Sequence, residues 1–474
     1  MCALRSLCSF VAIALIAAPA FAQSPPATSS GNVMAAAAAI RDTAAHGSGA
    51  FAIVRSLTVE VGPRPAGSQG DRAAVAWALA QMQDAGLANV HAESVTVPHW
   101  ERGTADVRLL EPYPQKLTAV ALGGSIGTDE GGLEAPVLAV ADLDELAKLP
   151  DRDVRGTIVY FSARMERTRD GAGYVKAVRA RSDGPSAVSR RGAVGMLMRS
   201  AGTSSSRVAH TGMTHYDPDV TPVPALALAH ADADLLEEEL AAGTPVVARL
   251  QLTARSLAPV RSANVVGEIP GRGDGIVLLG AHLDSWDLGT GAIDDGAGVA
   301  IVLATAHLLA QRHEQLAHAV RVVLFANEEF GLSGAKAYAA DHADEVPRHV
   351  LGLEADFGSA PVWRLDSRVA EPALPVVTSI YDVIATLGVE RGGNEAHGGA
   401  DLGPIRDLGV PVLDLLQDGT HYFDVHHTAD DTLDKINAAE LDRAVAAFAT
   451  ATYIAAAVET DFGRLPPPET PAHP

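Results

Sequence analysis

Cysteine is almost absent. The chain carries only Cys2 and Cys8, and both lie in a segment that reads as a secretory leader. In it, Arg5 precedes an apolar run at 10–18, and Ala20-Phe21-Ala22 offers a small-x-small cleavage site. A chain cleaved there and exported, to a periplasm or outside the cell, has no disulfide, no thiolate ligand for zinc and no cysteine nucleophile. The leader's apolar run is too short to span a bilayer, and no later stretch is expected to reach spanning length. Basic residues are also scarce. With 36 Lys and Arg against 58 Asp and Glu, the formal charge is −22, so neither nucleic acid nor an anionic membrane is an expected partner, since both require clustered cations. A Walker loop, a His-Glu-x-x-His helix and internal repeats are missing as well. Gly123-Gly124-Ser125-Ile126-Gly127 has nucleophile-elbow spacing. The residues after it, Thr128 to Gly132, read as a loop where that motif requires a helix, so Ser125 is not expected to be a nucleophile.

What is present divides the chain by texture. Residues 32–88 are mostly helical in pattern, with an amphipathic helix at 72–85 that Asp71 would cap and Gly86 would end. Between these helices lies the loop Gly62-Pro63-Arg64-Pro65-Ala66-Gly67-Ser68. Runs at 90–97 and 105–110 alternate like strands. Residues 134–252 read as a separate unit of short β-type runs (137–140, 157–161, 194–198) and helical stretches such as 232–242. His210 and His215 fall there in a Ser/Thr/Gly-rich stretch and are expected to be exposed loop residues. From 262 onward, apolar runs at 276–280, 320–325, 350–354 and 410–415 alternate with helical patterns at 298–309, 334–340, 376–387 and 441–457. That alternation predicts an α/β fold with a largely parallel sheet. The Pro-rich end of the chain is not expected to pack.

Five segments of this second half carry the chemistry: His282-Leu283-Asp284, Asp294-Asp295-Gly296, Glu328-Glu329, Asp356 and His427-Thr428-Ala429-Asp430-Asp431. In open α/β sheets, ligands bind beyond the carboxyl ends of the strands. His282, Glu328, Glu329 and Asp356 all follow apolar runs. Histidines mixed with carboxylates suit a pair of divalent ions, with one carboxylate to spare for moving protons. Asp284 stands two residues from His282 and can accept that imidazole's other N–H. Of Asp294 and Asp295, one can bridge the metals while the other caps the next helix, and the glycines after them let backbone come close. Of Glu328 and Glu329, one can face a metal and the other the attacking water, Glu328 being the acid left over for the base. Asp431 offers a carboxylate to His427, and His421 and His426 stand nearby as candidate substrate contacts.

At these residues the chain resembles the M28 family of co-catalytic zinc peptidases, over roughly residues 32–461. His99-Trp100-Glu101-Arg102-Gly103, Gly124-Ser125-Ile126-Gly127-Thr128, His210-Thr211-Gly212 and Ala292-Ile293-Asp294-Asp295-Gly296 look like its carboxypeptidase Q branch. His282-Leu283-Asp284-Ser285-Trp286 and Glu328-Glu329-Phe330-Gly331-Leu332 are also similar to the glutamate carboxypeptidase II type. The resemblance implies two zinc ions per chain, one held by His282 and Asp356 and the other by Glu329 and His427. Asp294 would bridge them, Glu328 would be the general base and Asp284 would orient His282. It implies an α/β, mostly parallel-sheet exopeptidase domain with helices on both faces, interrupted by a protease-associated-type insert. The boundaries are then a leader at 1–22, a first part at 23–133, the insert at 134–252, the main domain at 253–461 and a disordered tail at 462–474. The implied substrate is a dipeptide or short peptide, and the implied assembly allows a homodimer. On related scaffolds a glutaminyl cyclase-like aminoacyltransferase typically works with one zinc, while a non-catalytic receptor-like relative would have lost ligands; none is missing here. One departure stands out. Several relatives place a Tyr before the last histidine, where it helps polarise the substrate carbonyl, and here that residue is His426.

Overall fold

The computed structural model describes residues 30–467; the expected leader and residues 468–474 lie outside them. The strands form two sheets of eight. The first runs in the order Ala88–Glu101, Arg255–Ile269, Ala319–Phe325, Ile276–His282, His349–Glu354, Val412–Gln417, Val362–Arg368, Glu390–Arg391. Its four central strands, Ala319–Phe325 through Val412–Gln417 in that order, are parallel. Antiparallel partners flank them on both sides, so the sheet is mixed and largely parallel only at its centre. The division follows composition. All seven residues of Ile276–His282 are buried, as expected of a strand covered on both faces, whereas Ala88–Glu101 alternates toward solvent. Strand Val362–Arg368, rich in polar residues, gave no apolar run to recognise.

Helices cover both faces. Against one pack Ala297–Ala310 and Ala438–Ala457. Against the other pack Ser333–Asp341 and Gly403–Arg406, around Phe325, Tyr338, Leu402 and Val412. Ala297–Ala310 is apolar on every side and buried on nearly every side. Together with the turn before it, Ala292–Ala310 is long and apolar enough to cross a membrane by length and composition, contrary to the expectation from sequence, yet it is almost wholly buried in this fold. It is a core helix.

The second sheet runs Gln115–Leu117, Ala105–Glu111, Val247–Leu252, Leu133–Val140, Ile158–Phe161, Gly195–Arg199, Ala225–Leu228, Ala119–Ala121. It therefore takes in strands from Ala105 onward, upstream of the boundary expected at 134, because Ala105–Glu111 pairs with Val247–Leu252 where the chain enters and leaves this unit. Two further expectations are corrected. Helix Gln69–Asp84 is capped by the Ser68 hydroxyl, which accepts from Asp71 N. Asp71 lies one turn inside and accepts from Gly67 N, a reciprocal cap. The tail does not break off at 462: Phe462 is fully buried, its carbonyl accepts from Ala370 N, and Arg368 donates to the Pro466 carbonyl at 2.6 Å.

Candidate metal centre

Strand register sets the site. His282 ends its strand level with Phe325, and Gly280 is level with Glu354, so the loops carrying Glu328, Glu329 and Asp356 leave the sheet side by side. Asp294 lies between two imidazoles. Its Oδ1 is 3.1 Å from His282 Nε2, and its Oδ2 is 3.2 Å from His427 Nε2. Asp356 Oδ1 lies 3.4 Å from the same His282 nitrogen, and Glu329 Oε2 lies 3.0 Å from the same His427 nitrogen. The structure thus gathers all five residues expected as ligands into two clusters that share Asp294. Groups drawn from this set, with Asp295 and His426, have donor atoms within 4.8 Å of one another.

Asp295 is the capping member of its pair. Joined to Asp294 by a cis peptide bond, it accepts from Gly298 N at 3.0 Å and from His282 N at 3.2 Å. Gly298 has to be glycine, because a Cβ there would sit 2.0 Å from the Ala355 carbonyl and 2.2 Å from the Asp295 carboxylate. Asp284 acts on its surroundings in two ways. Its backbone carbonyl is 3.1 Å from His282 Nδ1, nearer than its carboxylate at 3.7 Å, so the carbonyl is what fixes the tautomer. The carboxylate Oδ1 instead accepts from Glu328 N at 2.9 Å.

The electrostatics are those of a cation site. Oδ2 of Asp284 and Oε1 of Glu329 are buried without a hydrogen-bond partner, and buried carboxylate oxygens converging on imidazole nitrogens fit divalent zinc. Burial opposes charge on His282, but Asp356, Asp284 and Asp294 outweigh it and hold the imidazole well above its usual range. Burial, followed by the charges of Asp356, Glu329 and Asp284 against that of His282, pushes the Glu328 carboxyl well above its own.

Other placements differ from expectation. Asp431 does not serve His427; it accepts from Ile293 N and Asp294 N and so shapes the Asp294 turn. The group facing His427 Nδ1 is the Thr211 carbonyl, 3.3 Å away, and Thr211 N donates to the His427 carbonyl. His210 is buried rather than exposed, with Nδ1 2.8 Å from the His426 carbonyl. His215 does face solvent. His426 stacks on His427 with ring centroids 3.5 Å apart and Nε2 3.6 Å from Asp294 Oδ2, whereas His421 points to solvent and pairs with Asp424. Ser125 is buried, its hydroxyl accepting from Ala225 N.

Three supporting residues left no sequence signal beyond the Gly/Pro loop or motif around them. Arg64, fully buried, donates to the carbonyls of Leu283 (2.5 Å), Thr290 (2.9 Å) and Gly291 (2.9 Å), tying together the loops that carry His282 and Asp294. Arg102 joins Asp287 through Nε and Nη2, and its Nη1 donates to the Thr211 hydroxyl. Asp401, buried with both carboxylate oxygens unpartnered, lies against Glu354.

The model of peptidase family M28 matches residues 264–452. The sequence is 32% identical to carboxypeptidase Q of Mus musculus, over 84% of this chain and 84% of that protein. It is 32% identical to carboxypeptidase Q of Homo sapiens, over 85% and 84%. The chain belongs to peptidase family M28. This M28 chain is a zinc metallopeptidase. Its structure resembles the crystal structure of a peptidase M28 precursor from Shewanella amazonensis, with a TM-score of 0.90 at 44% identity, covering 92% of this chain and 99% of that one. A zinc aminopeptidase from Bacillus subtilis shares the fold, with a TM-score of 0.61 at 19% identity over 89% and 98%.

Proposed function

We propose that this M28 peptidase is an exopeptidase that hydrolyses dipeptides or short peptides with two zinc ions. The observation that carries the reading is Asp294, whose two oxygens face two different imidazoles, each accompanied by its own second carboxylate. His282 and Asp356 would hold one ion, Glu329 and His427 the other, with Asp294 between. When bound, such a pair supplies Lewis acidity to the scissile carbonyl and to the attacking water.

The residues around it do the rest. Glu328 is held in place by the bond from its backbone N–H to Asp284 and lies among other carboxylates. Glu328 would take the water's proton and return it to the amide nitrogen as the C–N bond breaks, its charged form being favoured once the site held its cations. His426 is buried, and burial, followed by the charge of His427, lowers its pKa well below the usual range. A neutral imidazole donates from one nitrogen, and we assign that donor to the carbonyl oxygen, where charge develops. The second sheet with its helices is read as the protease-associated-type unit.

Elemental analysis combined with a panel of free and blocked dipeptides tests this reading. Two zinc ions per chain and release of free amino acids are expected. Full activity with a single metal would overturn the two-ion part, and no hydrolysis of any peptide by zinc-loaded enzyme would overturn the exopeptidase reading.

A further inference from the structure

His427 carries a strained backbone at the point where the two units meet. With φ at 61°, it is a non-glycine residue in the left-handed region, which such residues rarely hold unless their surroundings impose it. The peptide planes on either side of a residue define its φ and ψ, and here both are held from the second unit. The His426 carbonyl accepts from His210 Nδ1 at 2.8 Å, and the His427 carbonyl accepts from Thr211 N at 2.9 Å. Both donors lie in the loop between strands Gly195–Arg199 and Ala225–Leu228. His282 differs. It closes a strand paired on both sides within the first sheet, and its N–H donates to Asp295. One candidate ligand is thus fixed by the sheet that carries it, the other by groups from across the interface.

His210 is built into its place. It is 1% exposed, and its N–H donates to the Ser200 hydroxyl at 2.8 Å, which in turn donates to the Leu228 carbonyl at 2.7 Å. Gly202 leaves room for the ring: a Cβ there would come within 2.1–2.5 Å of Cε1, Nε2 and Nδ1. The His426 carbonyl can only accept, so Nδ1 is a ring nitrogen that carries a proton. Nε2 is buried with no hydrogen-bond partner. A phenyl ring would fill the same pocket without leaving a bare polar atom, so what the imidazole adds is the Nδ1–H. Thr211 is pinned in turn, its hydroxyl accepting from Arg102 Nη1 and donating to the Ala121 carbonyl.

We infer that His210 is a positioning residue for His427: its Nδ1–H fixes the peptide plane ahead of that ligand, so the Glu329–His427 metal position depends on the second unit while the His282–Asp356 position does not. This rests on the two-zinc reading above. Without the His210 bond, the left-handed residue is free to relax toward the ordinary backbone regions. Rotation about its own backbone then swings the imidazole, and Nε2, at the far end of the ring, leaves the place it holds between Asp294 and Glu329.

The test draws zinc from the loaded full-length enzyme with a chromogenic chelator. In His210→Phe one of the two equivalents should bind about 10–100-fold more weakly, the other as in wild type. His210→Asn, whose amide N–H stands where Nδ1–H stood, should recover most of the loss. In a His427→Ala background, adding His210→Phe should change the remaining zinc affinity no further, because the group it acts through is gone. A residue that merely supports the fold would weaken zinc in both backgrounds. Unchanged zinc affinity in His210→Phe, equal weakening of both equivalents, or a further loss in the His427→Ala background overturns the inference. Should His210→Phe fail to fold, His210→Leu against His210→Asn decides, two side chains of one shape with and without the N–H: equal zinc affinity overturns it. A single zinc per wild-type chain would instead overturn the two-ion reading, and the response of that one ion to His210→Phe would still report on His210.

Discussion

Replacing Arg64 should loosen the metal centre from behind. The side chain is fully buried and holds three carbonyl oxygens at 2.5–2.9 Å: one between His282 and Asp284, and two just ahead of Asp294. Arg64→Met keeps the length and apolar stem but leaves the Leu283 and Thr290 oxygens without a donor, while the Gly291 oxygen still accepts from Gly296 N at 3.0 Å. An unsatisfied buried acceptor costs about 1–3 kcal/mol. Water entering the space would relieve part of this, so a loss of roughly 2–4 kcal/mol is expected for the two. At about 2 °C per kcal/mol, suited to a large chain, Tm should fall by roughly 4–8 °C. Groups that orient ligands from behind are typically worth about 10–100-fold in metal affinity, and both ligand loops hang on this one residue. Arg64→Lys keeps the charge, but a single ammonium cannot reach three separated acceptors, so it should recover less than half. Thermal unfolding with and without chelator, together with zinc competition titrations, reads both effects. A Tm within 2 °C of wild type (roughly 1 kcal/mol) and unchanged zinc affinity would refute the reasoning.

Four further outcomes are expected. Glu328→Gln should lower turnover by about 10²–10⁴-fold with zinc retained; loss of zinc instead would mean that Glu328 and Glu329 have exchanged roles. Asp294→Ala should weaken both metal positions together in elemental analysis, and loss of only one would sink the bridging assignment. His426→Ala should cut turnover by the equivalent of about 2.7–4 kcal/mol with both metals kept, while exposed His421→Ala should not; near-normal turnover at His426→Ala would make His426 a packing residue. His349, buried between the Tyr338 hydroxyl and the Glu345 carbonyl, has its pKa lowered to about 4, chiefly by burial. As pH falls below the ordinary value near 6.5, the unfolded chain takes up a proton that the native chain refuses until about pH 4, so this stability is present above pH 6.5 and lost on acidification. Urea unfolding at pH 7.5 and pH 5 should show the gap between wild type and His349→Gln narrowing by about 2 kcal/mol; a constant gap would count against it.

Three of the candidate ligands were legible because their signal is local. His282, Glu329 and Asp356 each follow an apolar run, and a strand covered on both faces ends where its polar residues begin. Choosing between neighbours was a different problem. Nothing in Asp294-Asp295 tells which residue turns inward; the backbone does, with Asp431 accepting from Ile293 N and Asp294 N. Asp431 looked like a partner for His427 because it is close in sequence, whereas the group in place comes from Thr211, in the loop between strands Gly195–Arg199 and Ala225–Leu228 of the second sheet. Arg64 could not be read at all. A buried arginine has the same letter as an exposed one, and its acceptors lie far away in the chain. The same holds for 462–467, whose composition suggests a loose end but whose carbonyls meet Ala370 and Arg368.

The contact between His427 and Thr211 also sets an order of assembly. The two residues are 216 positions apart, whereas His282 ends one strand and Asp356 follows its neighbour in the same sheet. Closing a long loop carries an entropic cost that grows slowly with length, about 0.6 kcal/mol per doubling, but it slows the search for the pairing. The half of the centre built on His282 and Asp356 can therefore form as soon as the central strands pair. The half built on His427 has to wait until the chain is nearly complete, both sheets exist and one has docked on the other. Completion of the candidate metal centre is thus a late event in the folding of this chain, and it marks molecules in which the two units have come together correctly.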